Sequence, residues 1–200
     1  WANINRGNRF THLTSYASKA RGLHNHVVAM GGPDHPNARV EFRLGDVVQT
    51  MIGCENGETV LLSHDTNLPR PYSLGFRVQG EKGLWMDVNK SIYVEGQSPR
   101  PHRWEEAQAW LDRYDHPLWK AHAADAEGAG HGGMDFFVIH AFIEALKADA
   151  PMPIDIYDAV TWSAITPLSE ASIAAGNRTV DFPDFTEGSW RDRSSIFAPV

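Results

Sequence analysis

Hydrophobic and polar positions along this chain change their period about halfway. In the first half, β-branched and aromatic residues come in short runs separated by turn residues. The segment GDVVQTMIGCENGETVLLSHDT (45–66) predicts two strands joined around Glu55-Asn56-Gly57, because Asn-Gly accepts the positive φ of a tight hairpin. SLGFRVQGEKGLWMDV (73–88), with a turn around Gly80 and Gly83, and SIYVEG (91–96) continue in the same style, for at least four strands in a meander. Between them NLPRPYS (67–73) carries Pro69 and Pro71, which have no amide to donate to a ladder, so the chain leaves the sheet there as an ordered loop. In the second half the spacing becomes helical, in RPHRWEEAQAWLDRY (100–114), HPLWKAHAADAEG (116–128), GMDFFVIHAFIEALKADAP (133–151) and IDIYDAVTWSAITPLSEASIAAG (154–176). Phe137, Val138, Ala141, Phe142, Ala145 and Leu146 form one apolar stripe, and Gly176 fits a helix C-cap. Strands first and helices second predict an α+β domain spanning 1–200: a large open sheet, mostly antiparallel or mixed, covered on one face by helices.

Composition narrows the class. Two hundred residues, 42% of them hydrophobic and including seven Trp and nine Phe, bury a sizeable core without staples. A net charge of −7 and no basic run argue against nucleic acid or an anionic membrane as partner. One cysteine, Cys54, excludes an intramolecular disulfide and a cysteine-based zinc cluster; it reads as a small buried hydrophobe in a strand. No apolar stretch approaches the roughly 20 residues that span a bilayer. No G-x-G-x-x-G follows a strand, so a dinucleotide has no fingerprint here. The chain opens at Trp1 in mid-motif and reads as a piece of something longer.

Three residues stand out chemically. His131 lies among glycines in GAGHGGMDFF (128–137), just before a helix. From there an imidazole can reach a ligand hydroxyl; the bland alternative is a ring that caps or packs on the helix. Arg70 and Tyr72 sit in the proline-stiffened loop, where i, i+2 spacing in an extended segment sends both side chains to one side. That arrangement suits a polyhydroxylated ligand, against a salt-bridged Arg and a core Tyr. His24, His26, His64 and Asp65 are metal-ligand types without helical i, i+4 spacing or an identifiable third ligand, so no metal site is read. The Glu105-Glu106 pair reads as the solvated face of a helix, and no G-x-S-x-G elbow occurs. Trp85, Trp104, Trp110 and Trp119 could stack on sugar rings or serve as core.

Together, NINRGNRF (3–10), LGDVVQTMI (44–52), HDTNLPRPYS (64–73), GHGGMDFF (130–137), YDAVTWSAITPLSEASIAAGN (157–177) and VDFPDFTEGSW (180–190) resemble, in order and over essentially the whole chain, the C-terminal part of glycoside hydrolase family 109, within the Gfo/Idh/MocA oxidoreductase superfamily. Asn67-Leu68 before the Pro-Arg-Pro-Tyr core departs slightly from the family's loop. The resemblance implies an NAD-dependent α-N-acetylgalactosaminidase. There NAD⁺ oxidises the sugar at C3, the aglycone leaves by elimination, water adds and the hydride returns, without the usual carboxylate pair. It implies that Tyr72 touches the sugar, with Arg70 and His131 lining the pocket. Members of the family carry an N-terminal Rossmann domain and, just upstream of the segment seen here, a histidine-bearing loop. Neither is among these residues, so the resemblance implies a substrate and oligomerisation half that by itself neither binds NAD nor turns over, and a homo-oligomer through the sheet face. A sugar or inositol dehydrogenase and a non-catalytic oligomerisation or carbohydrate-binding module remain alternatives. Family members are bacterial, some of them exported, and the compartment stays open.

Overall fold

The computed structural model of the protein describes residues 2–194. The chain divides into two compact units: one holds the described residues up to Pro69 and from Ala145 onward, the other Arg70–Glu144.

In the first unit, β1 (Phe10–Ala17), β2 (Val47–Cys54), β3 (Thr59–Asp65) and the short β8 (Val180–Asp181) form an open antiparallel sheet in the order β3-β2-β1-β8. Alternation along β2, and along β1 with a register shift between Phe10 and His12, turns Phe10, Leu13, Val48, Ile52 and Cys54 to one face, where they are buried. Helix α5 (Ile156–Ala174) covers that face with Ala164, Ile165 and Leu168, and Phe182 meets Phe10 edge-on at 5.2 Å. Cys54 ends β2 as the anticipated buried thiol, raised in pKa by burial and then by the neighbouring charge of Glu58. The β2–β3 hairpin forms where expected, although the positive φ falls on Gly57 and not on Asn56. The Gly57 amide reaches the Cys54 carbonyl at 3.1 Å, and the Cys54 amide reaches Glu58 at 2.9 Å.

Hydroxyls line part of the contact between α5 and the sheet. Ser15 and Thr50 share a hydrogen bond of 2.8 Å, and Thr50 continues to Ser169 on α5 at 3.1 Å. The Ser15 amide, beyond the end of β8, donates to the Ser172 hydroxyl at 3.0 Å, which itself donates to the Arg178 carbonyl at 2.6 Å. A sheet edge is thus closed by a side chain where backbone pairing stops.

The NINRGNRF segment ties the sheet to the start of α5. The Arg6 guanidinium holds the Asp158 carboxylate through two bonds of 2.7 and 2.8 Å, and the Asn5 amide donates to the Tyr157 carbonyl and to Thr161. Asn8, fully buried, donates to Ala2 and Glu58 and accepts from Arg9 and Asn56. Asp155 caps α5, accepting from the Tyr157 and Asp158 amides, while the Asp158 carboxylate returns the bond to the Asp155 amide. At the far end Gly176, with φ +77°, closes α5 in a Schellman arrangement: its amide bonds Ile173, and that of Asn177 bonds Ser172.

The second unit contains β4 (Arg77–Gln79), β5 (Gly83–Met86), β6 (Ser91–Val94) and β7 (Glu105–Glu106), a second open antiparallel sheet in sequence order. The expected meander therefore runs in two sheets, parted at the proline loop. Glu105 and Glu106, read as helical, pair instead with Ile92 and Ser91. His102 has φ +56°, which breaks any helix before them, and α2 (Gln108–Tyr114) starts only after this ladder. Helix α3 (Pro117–His122) follows with His116 accepting from the Leu118 amide, and then α4 (Met134–Lys147). The apolar stripe on α4 is present as a face, but Val138, Phe142 and Leu146 stand about half exposed. Sequence reading missed α1 (Gly22–Gly31) altogether.

Asp158 is 4% exposed, and removing its charge takes both short bonds from the largely covered Arg6 guanidinium, leaving it the Pro153 carbonyl at 3.4 Å and Asp155 at 3.7 Å. Asp158→Ala is expected to cost on the order of 3–5 kcal/mol, read by urea unfolding. Burial pushes the Asp158 carboxyl up, but Arg6, the Asp155 amide and Asn5 outweigh it and hold the group below its ordinary 3.8. A lowered folded pKa stabilises above the unfolded value and loses that contribution as pH falls through the folded one. Stability that is steady above about pH 5 and declines below about pH 4 is the expected profile, flattened in that range by Asp158→Asn.

Candidate substrate-binding site

The loop carrying Arg70 and Tyr72 is anchored at its root by α1. That helix has no cap of its own at Arg21. The Asp46 carboxylate, buried and 24 residues further along, accepts from the Arg21 and Gly22 amides at 2.9–3.0 Å. Gly22 in turn lies so close to the loop that a Cβ there would sit 2.2 Å from the Asn67 carbonyl oxygen and 3.0 Å from Leu68. Only glycine permits this backbone approach, which holds the residues leading into Pro69-Arg70-Pro71-Tyr72.

Within the loop the Arg70 guanidinium turns back to the carbonyls of Pro71 and Ser73, at 3.3 and 3.0 Å, and so braces the chain around Tyr72. The Ser73 hydroxyl accepts from the Gly75 amide. Tyr72 is 86% exposed, its ring presented to solvent by a stiff segment. A phenol held out in this way can stack on a sugar face and exchange hydrogen bonds through its hydroxyl at low ordering cost.

His131 opens a 3₁₀ turn (His131–Gly133) that leads into α4. Three successive residues have positive φ: His131 at +54°, Gly132 at +68° and Gly133 at +98°. Gly133 answers a packing demand as well, since a Cβ there would lie 3.2 Å from both the Cβ and the carbonyl oxygen of Ala126 and 3.4 Å from the Trp119 ring. The His131 side chain is 79% exposed, and its Nδ1 lies 2.9 and 3.1 Å from the two carboxylate oxygens of Asp135. A solvent-exposed pair of this kind contributes only about 0–1 kcal/mol, whereas a left-handed non-glycine residue costs about 1–3 kcal/mol. Stability alone does not account for this placement. A pocket of about 350 Å³ opens beside the turn, lined by Trp119, Ala123, Ala126, Glu127 and the glycine segment.

The three residues singled out by sequence are thus held locally: Arg70 and Tyr72 by one loop, His131 by its own turn and Asp135. Of the tryptophans, Trp119 stacks on Phe137 at 4.9 Å, Trp110 on Tyr114 at 5.7 Å, and Trp85 meets Phe76 edge-on. Trp104 remains 45% exposed. His24 and His26 lie two apart on α1, which sends them to different faces. Among the described residues no group of three or more His, Cys, Asp or Glu could hold a metal ion. Asp135 and Asp46 were missed as supports: the first looks like an ordinary first-turn acid, and nothing local links the second to α1.

A dinucleotide pyrophosphate does not fit the N-termini of α1 and α5. Those of α1 and α5 are already occupied by carboxylates, Asp46 in one case and Asp155 with Asp158 in the other, where a pyrophosphate would need free amides.

An open antiparallel sheet backed by a long helix has solved counterparts among oxidoreductases. A levoglucosan dehydrogenase in complex with NADH superposes with a TM-score of 0.59 at 20% identity, over 88% of this chain and 45% of that one. An oxidoreductase domain protein from Kribbella flavida does so at 0.55 and 12%, over 89% and 47%. These likenesses establish the fold. The family model "Glycosyl hydrolase 109, C-terminal domain" matches residues 1–192, and the chain belongs to that family. A glycosyl hydrolase family 109 protein of Stenotrophomonas maltophilia (strain K279a) is 67% identical over 199 residues, 99% of this chain and 44% of that protein. An alpha-N-acetylgalactosaminidase of Tannerella forsythia is 57% identical over 196 residues, 98% and 42%. The chain therefore spans less than half the length of these relatives.

Gly133→Ala forces a β-carbon both into a left-handed conformation and against Ala126. It is expected to cost about 2 kcal/mol or more, seen as a fall of roughly 4–8 °C in the thermal midpoint.

Proposed function

We propose that this chain is the substrate-side part of an NAD-dependent glycosidase that cleaves N-acetylgalactosaminides by transient oxidation at C3, elimination and water addition. The observation that carries the reading is the 57% identity to an alpha-N-acetylgalactosaminidase across 98% of the chain, taken with a Tyr72 held outward by its braced loop. When bound, NAD supplies the hydride acceptor for the C3 carbinol. In this reading it is held by the part of the relatives that lies outside the matched segment, in keeping with the occupied helix N-termini here. The chain's own residues bind and orient the sugar: Tyr72 contacts it directly, Arg70 keeps the loop in shape and lines the pocket, and His131 reaches a hydroxyl through its outward nitrogen.

We also propose that copies of this chain associate through the sheet face opposite α5. Tyr16, Met51 and Leu61 stand 59%, 47% and 64% exposed on that face, beside His12, Thr14, Gln49 and Ser63. A flat, half-apolar face on an open sheet is the kind of surface a second copy covers.

The decisive experiment places these 200 residues in a chimera, replacing the matched segment of the Stenotrophomonas protein, and follows nitrophenol release from an aryl α-N-acetylgalactosaminide. Activity in the chimera, absent from the isolated chain, supports the reading. NADH accumulating with free sugars and no glycoside cleavage points to a dehydrogenase, and silence in both assays to a binding or assembly module. Tyr72→Phe is expected to raise KM several-fold without altering the circular dichroism spectrum; unchanged kinetics would remove Tyr72 from the site. For assembly, light scattering is expected to give an oligomer for the native chain and a monomer for Leu61→Lys.

A further inference from the structure

We infer that Asp135 is a positioning residue for His131, fixing its imidazole as the Nδ1–H tautomer so that Nε2 is presented as an acceptor to a sugar hydroxyl. The inference rests on the reading of His131 as a sugar-contacting residue. Both carboxylate oxygens of Asp135 converge on the same ring nitrogen, at 2.9 and 3.1 Å. A carboxylate only accepts, so in the neutral ring the proton sits on Nδ1 and the lone pair on Nε2, pointing away from Asp135.

Two features set this pair apart from an ordinary helix-end contact. The first is where the carboxylate goes: from the first turn of α4 it could reach back to a backbone amide, as Asp158 does in α5, yet both its oxygens turn to the imidazole. The second is how the two residues are brought together. An i, i+4 pair within a regular helix would stand on one face, but here His131 precedes the helix and reaches Asp135 only because the left-handed backbone at His131, Gly132 and Gly133 folds the chain back. The same turn leaves the side chain 79% exposed, while Gly132 and Gly133 that follow it, and not His131 itself, line the pocket with Trp119 and Glu127. A carboxylate behind one nitrogen with the other turned outward is the arrangement by which a second residue orients an imidazole.

The test is a tautomer measurement on the 200-residue chain itself. Long-range ¹H–¹⁵N spectra of the imidazole, recorded at about pH 8.5, well above the ordinary histidine value near 6.5, are expected to show His131 as Nδ1–H. They should show a change toward Nε2–H, the form that a free side chain prefers, in Asp135→Ala, while Asp135→Asn, which can still accept through its amide oxygen, largely keeps the native form. Asp135 is about half exposed, so folding is not at stake. A native ring already in the Nε2–H form, or one unmoved by Asp135→Ala, overturns the proposal whatever the enzyme does. In the active chimera Asp135→Ala is expected to lower kcat on the order of 10²-fold, as a misplaced group does, with Asp135→Asn recovering part of it. A large loss in His131→Ala with none in Asp135→Ala also overturns the proposal. Full activity in both variants would instead remove His131 from the site, a separate failure from that of the tautomer.

Discussion

The first unit, with the sheet of β1, β2, β3 and β8, hangs on one contact, the two-pronged bond between Arg6 and Asp158. Asp158 is at once the partner of Arg6 and the third residue of the α5 capping box, so a single carboxylate orients the helix, satisfies the amide of its N-cap residue Asp155 and secures the segment that leads into β1. Buried ion pairs are weak sources of net stability, but they are exacting about geometry, because either charge left alone is heavily penalised. The Asn5 and Asn8 side chains extend the same logic, with the bonds that let them be buried supplied by α5, Glu58, the hairpin turn, the Ala2 carbonyl and the Arg9 amide.

Beyond that anchor, α5 meets the sheet through hydroxyls as well as hydrocarbon. Ser15, Thr50, Ser169 and Ser172 form a chain of short bonds through the interface, while Leu13, Ile52 and Leu168 supply the apolar part. Small polar residues let the helix approach the strands closely. Pro167 in mid-helix, which removes one intrahelical bond, is tolerated in a helix already held along its length by these contacts. Carboxylates likewise occupy the starts of α1 and α5.

Those turns share one device, a backbone conformation that sets a side chain apart from the bulk of the fold. Gly22 admits the Asn67 carbonyl and so steadies the approach to Tyr72; Gly133 admits Ala126 and Trp119 and so lifts His131 out ahead of α4. Neither Tyr72 nor His131 is buried, and each depends on a rigid local frame for its direction. The sugar proposed above as ligand, with hydroxyls in many directions and little apolar surface, would be matched by such fixed outward groups better than by a deep apolar cavity.

By itself the sequence determined the elements whose causes are local. The β2–β3 hairpin follows from Asn-Gly between β-prone runs, the end of α5 from Gly176, the exit from the sheet from Pro69 and Pro71, and the stripe on α4 from its spacing. The family motifs marked the loop of Tyr72 and the turn of His131. Tertiary structure decided everything whose cause lies far along the chain. Helix α1 was illegible because Asp46, its cap, is two dozen residues away. Glu105 and Glu106 became strand because β6 offered a ladder that propensity does not see, and the meander became two sheets. Whether an apolar stripe is buried is decided by what lies against it, which periodicity cannot tell, and that of α4 stands half open. The convergence of both Asp135 oxygens on His131 needed three left-handed residues in a row, a geometry set by the packing of Gly133 as much as by the letters around it.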